Sequence, residues 1–245
     1  MAQPATNTTA SADEVARFEA IAEAWWDPEG DFKPLHLLNP PRLSFLVEKL
    51  AAHFGRNPTD PCPFSGLSLL DIGCGGGLLS EPMARLGFAV TGIDAGAKNI
   101  AIARLHAAQS GLTIDFRSLM PEDLTGQFDV VMAMEVVEHV PDVSVFLNAA
   151  AERLRPGGAF LAATLNRTPK AFALAIVGAE YLLRWLPPGT HDWRHFLRPS
   201  EFAAKLRKAG VNSLAFEGVR FDPLQDRWER CRSLDVNYLV YGAKL

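Results

Sequence analysis

The first residues in this 245-residue sequence that promise chemistry are an apolar run breaking into closely spaced glycines, Leu69-Leu70-Asp71-Ile72-Gly73-Cys74-Gly75-Gly76-Gly77. Glycine has no Cβ and accepts positive φ, so a strand that ends in such a turn lets a ligand approach the backbone closely. The next apolar run ends in Gly92-Ile93-Asp94. A carboxylate there can accept hydrogen bonds from both hydroxyls of a ribose, or it can cap the helix that follows. Dinucleotide proteins use a similar turn. Here Gly73-x-Gly75-x-Gly77 is tighter than G-x-G-x-x-G, and Asp71 opens the loop with a negative charge. That charge repels a pyrophosphate and suits the cationic methionine end of S-adenosylmethionine (SAM). The chemistry these residues point to is methyl transfer. Cys74, inside the loop, reads as a small filler rather than a nucleophile.

A second polar group, Glu135-Val136-Val137-Glu138-His139, follows Met134, whose backbone or thioether would face the cofactor from the end of a fourth strand. If a helix begins at Glu135, positions i, i+3 and i+4 share one face. Two carboxylates and an imidazole would then converge as a site for a divalent cation, Mg²⁺ by its oxygen ligands, with the histidine admitting Mn²⁺ or Zn²⁺. The alternative is that Glu135 and Glu138 serve the helix N-terminus, while His139 is a structural hydrogen bonder or a general base. Thr190-His191-Asp192-Trp193 is a further cluster, in which His191 is a base, a substrate contact or a loop hydrogen bonder. Asp123, after Pro121-Glu122, is either an adenine contact or a solvent-exposed carboxylate.

Positioning these groups requires alternating strands and helices. Strands are expected at Leu67–Ile72, Ala89–Asp94, Thr113–Ser118, Phe128–Met134 and Ala159–Leu165, with helices between them, clearest at Ala95–Ser110 and Val143–Leu154. Two late strands, Leu214–Val219 and Asn237–Leu245, complete the pattern. This is the rhythm of an α/β, doubly wound, mostly parallel sheet, here of seven strands. Its ligands sit at the carboxyl ends of the strands. Arg155-Pro156-Gly157-Gly158 reads as a turn feeding the fifth strand.

Residues 1–10 are expected to form a disordered tail and 11–245 a single domain. Within it, 11–55 is an N-terminal helical cap, opened by a capping box at Ser11-Ala12-Asp13-Glu14. One apolar helix face, Val15, Phe18, Ala22 and Trp25, runs to about Trp26-Asp27-Pro28. Pro34, Pro40 and Pro41 are expected to break the chain before a second helix. After the fifth strand comes a helical insertion, 166–200, with the apolar run 171–179. It is far short of the ~20 residues that span a bilayer, and it reads as a lid over the site or as an interfacial segment.

A net charge of −4, with no basic cluster, argues against nucleic-acid binding. Three cysteines, widely spaced and odd in number, exclude a disulfide framework and a Cys₄ zinc site. The first residues lack the charged and apolar regions of a signal peptide, so a cytoplasmic protein is expected.

Several motifs occur in order: Trp25-Trp26-Asp27-Pro28, Leu35-His36-x-Leu38-Asn39-Pro40-x-Arg42, the glycine loop, Glu135-Val136-Val137-Glu138-His139-Val140-Pro141, Thr164-Leu165-Asn166-Arg167, Gly178-Ala179-Glu180-Tyr181, Gly189-Thr190-His191-Asp192-Trp193 and Asp235-Val236-Asn237-Tyr238. Together they closely resemble the ubiquinone-biosynthesis O-methyltransferase family over about Phe18 to Leu245. The resemblance implies a Rossmann-like class I methyltransferase. It implies methylation of two ring hydroxyls on polyprenylated precursors, a 2-polyprenyl-6-hydroxyphenol and a 3-demethylubiquinol. It places SAM contacts on Arg42, Gly73, Asp94 and Met134, with Gly75 in the same loop. Arg42 would pair with the SAM carboxylate. It also implies a divalent cation on Glu135, Glu138 and His139, as in eukaryotic members, and a peripheral position on the membrane through the insertion, with assembly into a biosynthetic complex as a further expectation. The rival readings are a methyltransferase of another small phenol, carboxylate or amine, a non-catalytic SAM-binding subunit, and, more distantly, a dinucleotide oxidoreductase.

Overall fold

The strands that carry the glycine loop and its neighbours are apolar on both faces, the pattern of a sheet covered by helices on either side. In β1 (Ser68–Ile72) every residue after Ser68 is buried, and in β4 (Phe128–Met134) the last five are. The computed structural model describes residues 9–20, 22–30, 32–174, 176, 192–225 and 227–245. β1 pairs in parallel with β2 (Ala89–Asp94) and β4, β2 with β3 (Asp115–Ser118), and β4 with β5 (Leu154–Leu165). The antiparallel half follows: β8 (Asn237–Lys244) pairs with β5, β6 (Val211–Asp222) with β8, and β7 (Arg227–Cys231) with β6. The order is β3-β2-β1-β4-β5-β8-β6-β7.

The sheet therefore has eight strands rather than the seven expected. The addition is β7, whose sequence Arg-Trp-Glu-Arg-Cys is too charged to read as a strand and which lies at the sheet edge, where such residues are tolerated. β5 also begins earlier than expected: Arg155-Pro156-Gly157-Gly158 lies within the strand, and its register against β4 shifts between Phe128 and Val130.

Helices α3 (Ser80–Arg85), α4 (Ala97–Gln109), α5 (Val143–Glu152) and α7 (Pro199–Lys208) cover the sheet together with the N-terminal cap; α6 (Pro169–Ala171) is a single turn after β5. One core, under α5 and α7, includes Phe146, Phe160, Phe202 and Tyr238. A second large one lies under α2 (Lys33–Phe54) and includes Phe45, Leu46, Leu50 and Leu161.

The prolines do not break α2, which runs through all three. Pro34 occupies the first turn, where a missing N–H costs no intrahelical bond. Pro40 and Pro41 lie inside the helix, at a cost of about 3 kcal/mol each. Burial of Leu38, Phe45, Leu46 and Leu50, at about 1.5–3 kcal/mol per side chain, is large enough to offset that. α1 (Ala12–Ala20) is shorter than the single face suggested, with a separate 3₁₀ turn at Ala22–Ala24 before Trp25. Of the expected tail, Thr9 and Ala10 fall within the described residues. Thr9 is buried and docked, its N–H and hydroxyl both donating to the Glu122 carboxylate.

Candidate active site

The carboxyl ends of β1, β2 and β4 meet at the glycine loop. The N–H groups of Gly73 and Cys74 both donate to the Ile93 carbonyl, tying the loop to β2. Gly73 has φ +69°, and a Cβ there would lie 2.5 Å from Val136; Gly75 has φ +52°, and a Cβ would lie 2.4 Å from the Trp25 ring. Both positions thus exclude a side chain on two counts. Asp94 Oδ2 accepts from the Gly75 N–H at 3.0 Å, and Oδ1 accepts from the Gly96 N–H at 2.8 Å and the Asn99 amide at 3.0 Å. Burial raises the Asp94 carboxyl against the pull of these donors. The carboxylate braces the loop, and its oxygens keep the acceptor capacity that ribose hydroxyls require.

The N-terminal cap packs directly on this loop. Trp25 stacks on Phe32 with ring centroids 3.7 Å apart, and its indole N–H donates to Asn99 at 3.0 Å. Trp26 donates to the Gly76 carbonyl at 2.9 Å and stacks on His106. Asn99 therefore links Trp25 to Asp94. Neither Asn99 nor Ser80, which donates to Asp71 Oδ2 at 2.6 Å, was foreseen from sequence; small polar residues inside helices carry no sequence signal of their own. Burial pushes the Asp71 carboxyl up to about 7, with the nearby Asp94 charge adding to it and the Ser80 bond opposing it.

Arg42, on α2, is 3% exposed and lies 2.9 Å from Glu135 Oε1. That contact is an ion pair by distance without hydrogen-bond geometry: Nη2 and Nε both lack a hydrogen-bond partner among the described residues. A buried guanidinium with donors to spare, beside the glycine loop, fits a ligand carboxylate. Glu135 itself has φ +55°, so the chain leaves β4 by turning rather than by starting a helix.

This overturns the geometry expected of Glu135, Glu138 and His139. The segment is a turn, closed by His139 N–H donating to the Val136 carbonyl, and the helix begins only at Val143, after the Asp142 N-cap. The three side chains do not converge as a set: Glu135 and Glu138 stay beside each other, and His139 turns to α1. Glu135 faces Arg42, Glu138 accepts from the Thr164 hydroxyl at 2.8 Å, and His139 Nδ1 lies 2.9 Å from Glu14 Oε2 on α1. Burial, with the Glu135 charge beside it, pushes Glu138 well above the usual carboxylate range. A protonated Glu138 can donate to Glu135. Among the described residues no three His, Cys, Asp or Glu side chains gather where they would hold a metal ion. The side chains as arranged do not fit the expected Mg²⁺. Pro141 was the available signal, since it holds the preceding residue out of helical conformation.

One cavity of about 1020 Å³ reaches from Gly73, Gly75, Asp94 and Met134, past Arg42, Glu135 and His139, to Val219, Phe221 and Trp228 on β6 and β7. Pockets for single ligands of drug size run from roughly 300 to 1,000 Å³, so this one has room for a cofactor and an acceptor. The methyltransferase-domain family matches residues 40–215. The chain is 62% identical over 238 residues to the ubiquinone biosynthesis O-methyltransferase of Paramagnetospirillum magneticum, covering 96% of each chain. It belongs to the ubiquinone biosynthesis O-methyltransferase family. The protein of that name from a Chelativorans species is 54% identical, over 98% of this chain and 96% of its own. Among solved structures, magnesium protoporphyrin IX methyltransferase of Synechocystis with bound SAH superposes with a TM-score of 0.66 at 18% identity, covering 94% of each chain, and shares the fold.

As a member of this family, the chain brings Arg42, Gly73, Gly75, Asp94 and Met134 to one cavity. Arg42 lies on a helix far from the loop in sequence, and only the family pattern pointed to it. His191 falls outside the described residues. Asp123 is exposed and does not line the cavity. Glu14, which touches His139, was foreseen only as a helix cap.

Proposed function

We propose that this chain transfers the SAM methyl group to phenolic hydroxyls of polyprenylated ubiquinone precursors, at both O-methylation steps. The observation that carries this is the single cavity joining the glycine loop and Arg42 to an apolar far wall, in a chain whose relatives bear that name. Arg42 takes the SAM carboxylate, Asp71 the ammonium and Asp94 the ribose hydroxyls. Gly73 and Gly75 give the backbone room, and Met134 packs on the cofactor.

The reaction is an in-line displacement. A phenolic oxygen attacks the methyl carbon, the carbon–sulfur bond breaks, and its electron pair stays on sulfur, giving neutral S-adenosylhomocysteine. Alignment of the two reactants in one cavity contributes roughly 7–11 kcal/mol. A phenol of pKa ~10 costs about 4 kcal/mol to ionise at neutral pH. His139 takes that proton, a contribution of roughly 10²–10⁴-fold. A carboxylate only accepts, so the Glu14 contact places the hydrogen of the neutral ring on Nδ1 and the lone pair on Nε2.

An amphipathic acceptor places the enzyme at the bilayer surface on the cytoplasmic side, alone or within a biosynthetic complex. Among the described residues no helix is long and apolar enough to cross a membrane. Phe172 and Leu174, 44% and 54% exposed at the start of the insertion, support surface contact instead. The test is methyl transfer from labelled SAM to a prenylated catechol, with the product identified by mass spectrometry. A mono-O-methylated ring supports the proposal, and SAM binding without transfer to any prenylated phenol or catechol contradicts it.

A further inference from the structure

The cavity's second half is built by residues that the cofactor does not need. β6 and β7 form an antiparallel hairpin in which Phe221 and Trp228 are direct cross-strand partners, with ring centroids 5.6 Å apart. Val219 lies two residues before Phe221 and so on the same face of β6, and all three line the cavity. Trp228 and Val219 also pack on the cluster containing Leu38 and Phe45, so this wall stands against α2, the helix that carries Arg42. Leu165 and Val236 line the same cavity from the ends of the neighbouring strands.

Topology puts this wall on the cofactor's edge of the sheet. β8 runs antiparallel to β5 and β6 antiparallel to β8. The end of β6 and the start of β7 therefore lie level with the carboxyl end of β5, beside the loops that hold the glycine turn. The charged residues that line the cavity at this end are paired: Arg220 with Glu229, at 2.6 Å, and Lys170 with Asp235, at 3.0 Å. The hairpin tip carries Pro223, on the cavity lining, and Leu224, which is 95% exposed. The wall thus continues into an apolar lip facing solvent.

We infer that the Val219–Phe221–Trp228 face of the β6–β7 hairpin is the subsite for the first isoprene units of the acceptor's tail, with the rest of the tail leaving over Pro223 and Leu224. This rests on the polyprenylated-phenol reading above and deepens it. Contact with the tail at this wall fixes the ring against the cofactor, so the gain from the tail saturates after the first units.

The experiment compares two acceptors, a tailless catechol and its geranylated form, as kcat/KM for the parent chain and for Trp228→Ala and Phe221→Ser, with the SAM Kd and Tm of each variant measured alongside. Phe221 is half-buried, so Phe221→Ser keeps the test open if Trp228→Ala does not fold. The parent is expected to prefer the geranylated acceptor. Each variant should lose roughly tenfold on it, the scale on which an apolar pocket discriminates, while the tailless catechol and SAM stay within about twofold. Equal loss on both acceptors, or no preference in the parent, overturns the tail subsite and leaves the proposed function standing. Transfer to neither acceptor, with SAM bound, overturns the proposed function and the subsite with it.

Discussion

At the scale of single residues, two buried charges define what the cofactor must bring. Arg42 is held by Glu135, without hydrogen-bond geometry, and by one long bond from Nη1 to Asn39, while Nε and Nη2 lack hydrogen-bond partners among the described residues, and a ligand carboxylate would complete it. Arg42→Lys keeps the charge but loses the planar fork, so the SAM Kd, read by calorimetry, should rise about 10–100-fold, in line with the ~1.5–3 kcal/mol of hydrogen bonds to charged groups. Asp71 offers a test in pH. Its carboxyl, raised to about 7 by burial, binds more protons folded than unfolded between its ordinary value of 3.8 and 7. Its contribution to stability therefore falls as pH rises through that window and is constant above it. The SAM ammonium favours the ionised form. Affinity for SAM should then rise with pH up to about 7, by at most about tenfold per unit for a single proton, and level off above. Asp71→Asn should flatten that profile. An unchanged slope in the variant would remove Asp71 from the cofactor site. The glycine loop, Asp94 and Met134 were legible as residues because each ends a strand. Glu135, Glu138 and His139 were misplaced because a helical spacing was assumed where Glu135 turns into positive φ.

At the scale of elements, the N-terminal cap belongs to the site. Trp25 and Trp26 rest on the loop, and Gly75 and Gly76 have no Cβ because the Trp25 side chain fills that space. Gly75→Ala should weaken SAM binding by tenfold or more, through strain at φ +52° and the clash with Trp25. Trp25→Ala in the same chain should restore part of it. Additive losses in that double-mutant cycle would show that the two elements do not interact. The alternation of strands and helices was readable because the central strands are continuously apolar, and Ala89–Asp94 and Phe128–Met134 stand where the sequence placed them. Two features were not readable, the proline-bearing first half of α2 and the strand β7. α2 passes through Pro40 and Pro41 because its buried face outweighs the local cost, a tertiary effect that no local pattern displays. β7 is an edge strand of mostly charged residues, whose one apolar ring, Trp228, faces the cavity.

At the scale of the whole molecule, the two halves of the sheet divide the work. The parallel half presents loops and backbone to a polar cofactor, and the antiparallel half presents an apolar wall on the same edge. Phe172 and Leu174 lie exposed just beyond β5, and Leu174 also lines the cavity. Replacing both by aspartate should lower partitioning onto liposomes of mixed anionic and zwitterionic lipid, read by sedimentation, while leaving the SAM Kd unchanged. Unchanged partitioning would assign that segment to the cavity alone. The most direct measurement of the central claim is a crystal structure of the full chain with S-adenosylhomocysteine and a geranylated catechol. Both are expected in the one cavity, with the methionine carboxylate on Arg42, the ribose hydroxyls on Asp94 and the catechol ring between the sulfur and His139. A cofactor product that leaves Arg42 and Asp94 without contacts, or an acceptor bound outside that cavity, would contradict it.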